Sequence, residues 1–245
     1  MYLGDYDDAF VPVNHIPGGP MNPLTDETWV QMLRPYTGSF SVFFCPADTS
    51  NPALPDATFD QDLVLGDLTA EYYAASMRSN VGYNFQYLAP ITKIQGVWQV
   101  QTVKGSDLPE PDSMLMYADS AWQVTNGVPT GGGSWLVSPP CRYQEINGQR
   151  LDTITQKFVS PRTPGSPTSG DGQELFVPTE GWDPDASSPQ IYGGLWTWHT
   201  GRTNVVTVGG EARSETIGQV TQGCDVLPKW TGNIYDRSLY VWSPR

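Results

Sequence analysis

Apolar residues fall in short runs along this chain, and few of those runs keep a helical period. Ser39 to Cys45 (SFSVFFC) is almost continuously apolar and stops at Pro46, which predicts a buried strand. Val97 to Val103 (VWQVQTV) alternates apolar and polar residues and predicts a half-buried strand. Met114 to Ala118 (MLMYA) and Asn204 to Val208 (NVVTV) predict two more. Gly209-Gly210 predicts a two-residue hairpin turn, with Glu211 to Ile217 returning. Helical signals are sparse. Met1-Tyr2-Leu3 reads as the last turn of a helix closed by Gly4. Thr25-Asp26-Glu27-Thr28 offers N-cap chemistry for a short helix carrying Trp29, Met32 and Leu33 and stopping near Pro35. Asp67 to Met77 (DLTAEYYAASM) predicts the other helix. Residues 126–134 and 160–173 hold Gly, Pro, Ser and Thr without a regular period and are expected to be loops. No repeat or clean linker interrupts the series. One α+β domain over residues 1–245 is therefore expected, with long insertions between strands.

Composition agrees with that outline. The chain has 25 Gly and 22 Pro, many for a helical protein, and 38% hydrophobic residues with nine Trp and twelve Tyr, enough to fill a core. The formal net charge of −13 repels phosphate backbones, so nucleic acid is not expected as a partner. It also leaves no polybasic patch for an anionic membrane. No run of 18 apolar residues and no signal peptide is present, so the chain by itself is expected to be soluble. Cys45, Cys141 and Cys224 lie far apart, with no CxxC and no local His/Cys grouping. That excludes a zinc site built by short spacing and allows at most one internal disulfide.

Six blocks, taken in order, carry a resemblance. They are Met1 to Pro12 (MYLGDYDDAFVP), Trp29 with Leu33-Arg34-Pro35-Tyr36, and Val42 to Asp48 (VFFCPAD). Gly82-Tyr83-Asn84, Pro111 to Ser120 (PDSMLMYADS) and Trp198 to Val206 (WHTGRTNVV) follow. The series resembles the type IV pilin-like, type II secretion protein G-like pseudopilins whose sequences end in His, nine residues, then Asp-Gly. Here the ending is His199, nine residues, then Gly209-Gly210, so any role of that Asp is missing. The resemblance implies a head with an antiparallel sheet packed on the remnant of an N-terminal helix, the rest of that stem lying upstream. It further implies export through prepilin processing, membrane anchoring before assembly, and an extracellular, cell-surface or periplasmic location. The implied function is structural: a subunit of a pilus-like or pseudopilus-like filament, whose partners are other pilin or pseudopilin subunits held through the stem. The head alone is expected to be a monomer. Family members carry a stem cysteine suited to Cys45, so the resemblance implies a Cys141–Cys224 disulfide. Cys45–Cys141 and Cys45–Cys224 remain the alternatives.

Asp5, Asp7 and Asp8 are the candidate metal ligands, because a hard cation such as Ca²⁺ wants several oxygens at one point. Calcium is accordingly the expected cofactor. The spacing departs from a calcium loop, with Phe10 at the sixth place and Ile16 at the twelfth, and the competing reading has these acids capping a turn. Asp171 with Glu174, and Asp183 with Asp185, are rival carboxylate pairs. His199 precedes a strand and, on the resemblance, serves as a structural hydrogen-bonding residue; His15 lies in an Asn-His-Ile-Pro-Gly-Gly loop. Asp48 is expected to make an Asx-type turn after Cys45-Pro46. No catalytic residue is assigned. The alternative from another class is a secreted, esterase-like hydrolase. It has no Gly-x-Ser-x-Gly elbow to point to, and Ser120 beside Asp119 with His199 is the best triad on offer. A surface module binding polymer or carbohydrate through its Trp residues is the third reading.

Overall fold

A single long strand organises the molecule. The computed structural model describes residues 2–14, 27–50, 76–159, 174–175, 182, 192–227 and 232–244. Its strands are β1 (Val81–Tyr83), β2 (Ile91–Ile94), β3 (Val97–Val100), β4 (Leu115–Thr125), β5 (Val128–Thr130) and β6 (Tyr143–Ile146). There follow β7 (Gln149–Asp152), β8 (Lys157–Val159), β9 (Glu174–Leu175), β10 (Tyr192–Leu195), β11 (Thr203–Thr207) and β12 (Ala212–Glu215). All pairings between these strands are antiparallel. β4 is the centre of a six-stranded sheet, and β2 and β7 are the middle strands of two three-stranded ones.

The strand β4 is served by two partners along each edge. Its first half pairs with β1 on one edge and β11 on the other, and its second half pairs with β5 and β10. Leu195 is opposite Ser120, whereas Val205 is opposite Ala118. β10 and β11 thus form one antiparallel partner interrupted opposite Asp119, where residues 196–202 leave the sheet. Beyond β11, Gly210 and Glu211 bond back to Thr207, so the turn into β12 is longer than the two-residue hairpin expected of Gly209-Gly210. A side chain at Gly209 would meet the Asp112 carboxylate, which would have to swing away.

Aromatic side chains fill the core. Trp29 is buried against Phe43, Tyr83 and Tyr117, and its indole N–H donates to the Trp135 carbonyl at 2.6 Å. Trp182 packs edge-on against Trp242, and both are buried. A further anchor is the fully buried pair Arg142–Asp152, with Nε and Nη2 on one carboxylate oxygen at 2.9 and 2.5 Å. Cys141 and Cys224 form a disulfide, as the resemblance implied, with Cα atoms 6.0 Å apart. That bond is compatible with an extracellular or periplasmic location. Among the described residues no helix is long and apolar enough to cross a membrane.

The expected α+β head resting on a helix remnant is overturned. The described chain is largely β, and its α-helices are single turns of four residues: Tyr2–Asp5, Trp29–Met32, Arg34–Thr37, Phe85–Leu88 and Ile217–Val220. The N-terminal turn has no buried residue; only Tyr2 and Leu3 of it pack, half-buried, against the core. Local chemistry cuts each element short. Asp7 and Asp8 enter the left-handed region just after Tyr2–Asp5. Thr28 caps Trp29–Met32, with its amide bonded to Gln31 Oε1 at 2.8 Å. Pro35 does not stop that helix; it sits in the first turn of the next, which Gly38 ends at φ 75°.

Ser39 to Cys45 also departs from expectation, forming a 3₁₀ turn over Ser41–Phe43 in place of a strand. The Ser39 hydroxyl accepts the Ser41 amide, a local bond that competes with a ladder. Phe40 and Phe43 are buried while Val42 is 56% exposed, a period of three and not two. Residues 126–134, expected to be loop, supply β5, and Val97–Val100 is a strand as expected. Most of the helix expected over 67–77, the 160–173 segment, His15, Asp171, Asp183 and Asp185 lie outside the described residues, as does the side chain of Glu174.

Candidate functional site

Three of the resembling blocks meet where residues 196–202 leave the sheet. Asn80, just before β1, is the clamp. Its Oδ1 accepts the Cys45 amide at 2.9 Å, its Nδ2 donates to Asp48 Oδ2 at 2.7 Å, and its carbonyl accepts the Ser120 amide at 2.8 Å. Asp48 makes the expected Asx-type turn, its other oxygen accepting both the amide and the hydroxyl of Ser50. The turn Cys45-Pro46-Ala47-Asp48 is thereby fixed against β4. Asp119 faces it, accepting the Asn204 amide at 2.7 Å and the Trp196 amide on its own carbonyl at 2.9 Å.

His199 closes the group. Its backbone N–H and C=O exchange bonds with Arg202 around a tight turn, which Thr200 (φ 54°) and Gly201 (φ 78°) make possible. The neighbouring Trp198 anchors the excursion by donating its indole N–H to the Ser120 carbonyl at 2.9 Å. Held this way, His199 Nε2 stands 3.6 Å from Cys45 Sγ and 3.7 Å from Asp119 Oδ2. The side chain of Asp119 is 11% exposed and that of His199 is 42% exposed. Cys45 is half-buried and unpaired.

Electrostatics at this point favour neutral forms. Burial pushes the Asp119 carboxyl up to about 6, against the opposing pull of the Asn204 amide and His199. Burial also raises the Cys45 thiol, aided by the Asp119 and Asp48 carboxylates and opposed by the Ala47 and Asp48 amides directed at the sulfur. One imidazole nitrogen faces both neighbours, so His199 cannot take a proton from the thiol through Nε2 while donating through the same atom to Asp119. A nucleophile–base–acid relay needs the two ring nitrogens in separate roles, and this arrangement does not provide that.

The serine that the alternative hydrolase reading would use is engaged elsewhere. Ser120 is fully buried, donates its hydroxyl to the Ser134 carbonyl at 2.5 Å and accepts the Ser134 amide at 3.1 Å. It ties β4 to the 133–136 segment and offers no path to a substrate. Cys45, not Ser120, is the neighbour of His199. Sequence reading missed this contact because 154 residues separate the two. The available signal was that Cys45, Asp119 and His199 each lie inside a block of the same ordered series.

The acidic cluster at the N-terminus is spread over three donors. Asp5 accepts the Tyr36 hydroxyl at 2.9 Å, Asp7 pairs with Lys104 at 2.8 Å, and Asp8 accepts the Ser106 amide at 2.6 Å. The side-chain bond from Lys104 holds the Asp7 carboxyl below its ordinary range. With the Phe10 amide on the Val103 carbonyl, the Asp7 and Asp8 bonds fasten the first residues to the 103–106 segment, while Asp5 ties them to the Arg34–Thr37 turn. Among the described residues no three His, Cys, Asp or Glu side chains form a group closed enough to hold a metal ion as they stand. In comparison with known proteins, the chain matches no family model, no curated protein and no solved structure.

Proposed function

We propose that this chain is an exported structural domain, the folded head of a subunit in a pilus-like or type II secretion pseudopilus-like filament. The supporting observation is how the blocks of the resembling series are used: their polar side chains hold backbone together. Asn84 donates to the carbonyls of Leu115 and Trp242, Asp48 orders its own turn, Asp119 holds the Asn204 amide, and Trp198 anchors the excursion that carries His199. A series that specifies shape is what a filament subunit requires, whereas a hydrolase requires an accessible nucleophile beside a base. The disulfide supports export. The filament itself rests on the resemblance.

The test is made in the producing cells with an antibody to the chain. The protein should appear in the sheared or pelleted surface-filament fraction, and deleting the prepilin peptidase should abolish that signal. Recovery from the medium as a free monomer, unaffected by the deletion, would remove the filament role. The chain by itself is expected to sediment as a monomer, since filaments of this class are held by their stems. Calcium at Asp5, Asp7 and Asp8 remains a proposal of the same reading. The ion would have to displace Lys104 from Asp7, so a thermal shift with calcium against chelator should be larger in Lys104→Ala than in the native chain.

A further inference from the structure

We propose that the pocket between the turn Ile217–Val220 and the face shared by β11 and β12 binds a primary alkylammonium group, the chemistry of a lysine side chain or of a free aliphatic diamine. The cavity measures about 180 Å³. A single water needs only about 10–15 Å³ on the same scale, so the space takes an organic group. Its floor is aliphatic: Leu115, Val205 and Val220 are at most 5% exposed, and Val241 completes it. The Trp242 indole donates to the Val220 carbonyl at 2.7 Å, and the Leu115 amide donates to the Val241 carbonyl at 2.6 Å. The floor is therefore formed before any ligand arrives.

Charge decides the class of ligand. Val205 is directly opposite Arg213 in the β11–β12 ladder, so Arg213 and, two places on, Glu215 project on the side of Val205. Arg213 is already engaged, its Nη2 donating to Glu211 Oε2 at 2.5 Å. The Glu211 bond, and after it the Glu215 and Asp112 carboxylates, hold the guanidinium above its ordinary range. Three acids thus surround one base. Glu215 is half-buried and, among the described residues, has no ion pair or side-chain hydrogen bond of its own. Such a rim repels anions, and its complement is a cation.

The rest of the lining narrows the class. Among the described residues no aromatic ring borders the cavity. A quaternary ammonium is held by aromatic faces and a sugar ring stacks on them, so neither suits this aliphatic floor. A primary ammonium instead needs acceptors for its three N–H donors. Besides Glu215 the rim has Ser113, whose proton goes to the Glu110 carbonyl at 2.9 Å and whose lone pairs stay open, and the carboxamide of Gln222. Gln219 is not one of them, because its Oε1 accepts the Thr216 amide at 2.9 Å. The alkyl stem covers Leu115, Val205 and Val220 while the ammonium stays at the rim. The inference is independent of the filament reading, because it uses no property of a filament.

The probe is n-butylamine, titrated into the methyl-labelled full chain with its disulfide intact while leucine and valine methyl signals are followed by NMR. Saturable shifts should be confined to Leu115, Val205, Val220 and Val241. Butanol and butyrate carry the same stem without the positive charge, and tetramethylammonium carries the charge without the stem; all three should bind several-fold more weakly. Glu215→Gln should weaken butylamine binding about fivefold or more. Glu211→Gln should weaken it too, because the released Arg213 turns to Glu215. Arg213→Gln removes the competing cation and should tighten it, an effect that loss of structure would not produce. Asp7→Asn, in the separate acidic cluster, should change nothing. Two further titrations name the source: tighter binding of Nα-acetyl-lysine amide than of cadaverine supports a lysine side chain, and the reverse supports a free diamine. Absence of saturable shifts at these methyls would overturn the proposal. So would equal binding of butanol or butyrate, or unchanged affinity in a folded Glu215→Gln.

Discussion

Asp119 accepts the Asn204 amide at 2.7 Å across the gap where β10 gives way to β11. The bond satisfies a backbone donor that the interrupted ladder leaves over, and it places a carboxyl where water is scarce. Burial raises this carboxyl to about 6 in the folded chain, above its ordinary value of 3.8. A raised folded value means that the native state binds the proton more tightly than the unfolded one. The contribution is fully present below about pH 4 and is lost as pH rises toward and through about 6. At about 1.4 kcal/mol per pKa unit the loss amounts to roughly 2–3 kcal/mol. Asp119→Asn keeps an acceptor for Asn204 and removes the ionisation. In urea titrations with chelator present, its stability relative to the native chain should rise between pH 4 and pH 7. Parallel pH profiles for the two proteins would show that Asp119 does not titrate in this way.

Ser120 is expected to matter for folding and not for chemistry. Ser120→Ala leaves the buried Ser134 carbonyl and amide without their partner, a loss of about 1–3 kcal/mol. Any ester turnover by the purified chain should be the same in the variant. A stable Ser120→Ala protein with abolished turnover would restore the serine-hydrolase reading.

Part of this was legible in the chain. Alternation marked Val97–Val100, and short apolar runs marked the start of β4 and most of β11, because each strand carries its own period. Ser39 to Cys45 was misread because two phenylalanines three apart look like strand residues until the Ser39 hydroxyl is seen to turn the backbone. The helix platform rested on the resemblance and on Gly4 read as a helix end, neither of which says how much of that first turn is buried. The meeting of Cys45, Asp119 and His199 follows from the interrupted pairing along β4, a long-range register that no local pattern encodes.

The disulfide should carry a large share of the stability. Cys141 and Cys224 are separated by 83 positions, and closing a loop of that length restricts the unfolded chain by an amount worth about 4–5 kcal/mol in the chain-entropy treatment. The double variant Cys141→Ala/Cys224→Ala should lose about 2–5 kcal/mol in urea unfolding and should gain nothing further from reductant. Non-reducing peptide mapping of the native chain should find Cys45 as a free thiol. Recovery of Cys45 in a bridge with either of the others would contradict this pairing.

Asn84 offers the sharpest test of the view that the ordered blocks specify shape. It is fully buried, its amide bonds to the Met116 carbonyl at 2.9 Å, and its side-chain NH₂ donates to Leu115 and Trp242 at 2.8 and 2.9 Å. Those two acceptors belong to the central strand and to a segment 158 positions away, so one amide group joins β4 to the end of the chain. Trp242 in turn donates to the Val220 carbonyl at 2.7 Å, and the Leu115 amide bonds to Val241 at 2.6 Å. Asn84→Ala removes both donors and strands two buried carbonyls at about 1–3 kcal/mol each, so a total of roughly 2–6 kcal/mol is expected. Asn84→Asp should cost at least as much, because an ionised carboxylate cannot donate and is itself buried. Hydrogen exchange separates this from a general loosening: the Leu115 amide, whose acceptor is in the tethered segment, should lose protection more than the amides of β7. Native-like stability in Asn84→Ala, with the Leu115 amide still protected, would mean that the tether is incidental and that this block owes its place in the series to something other than the fold.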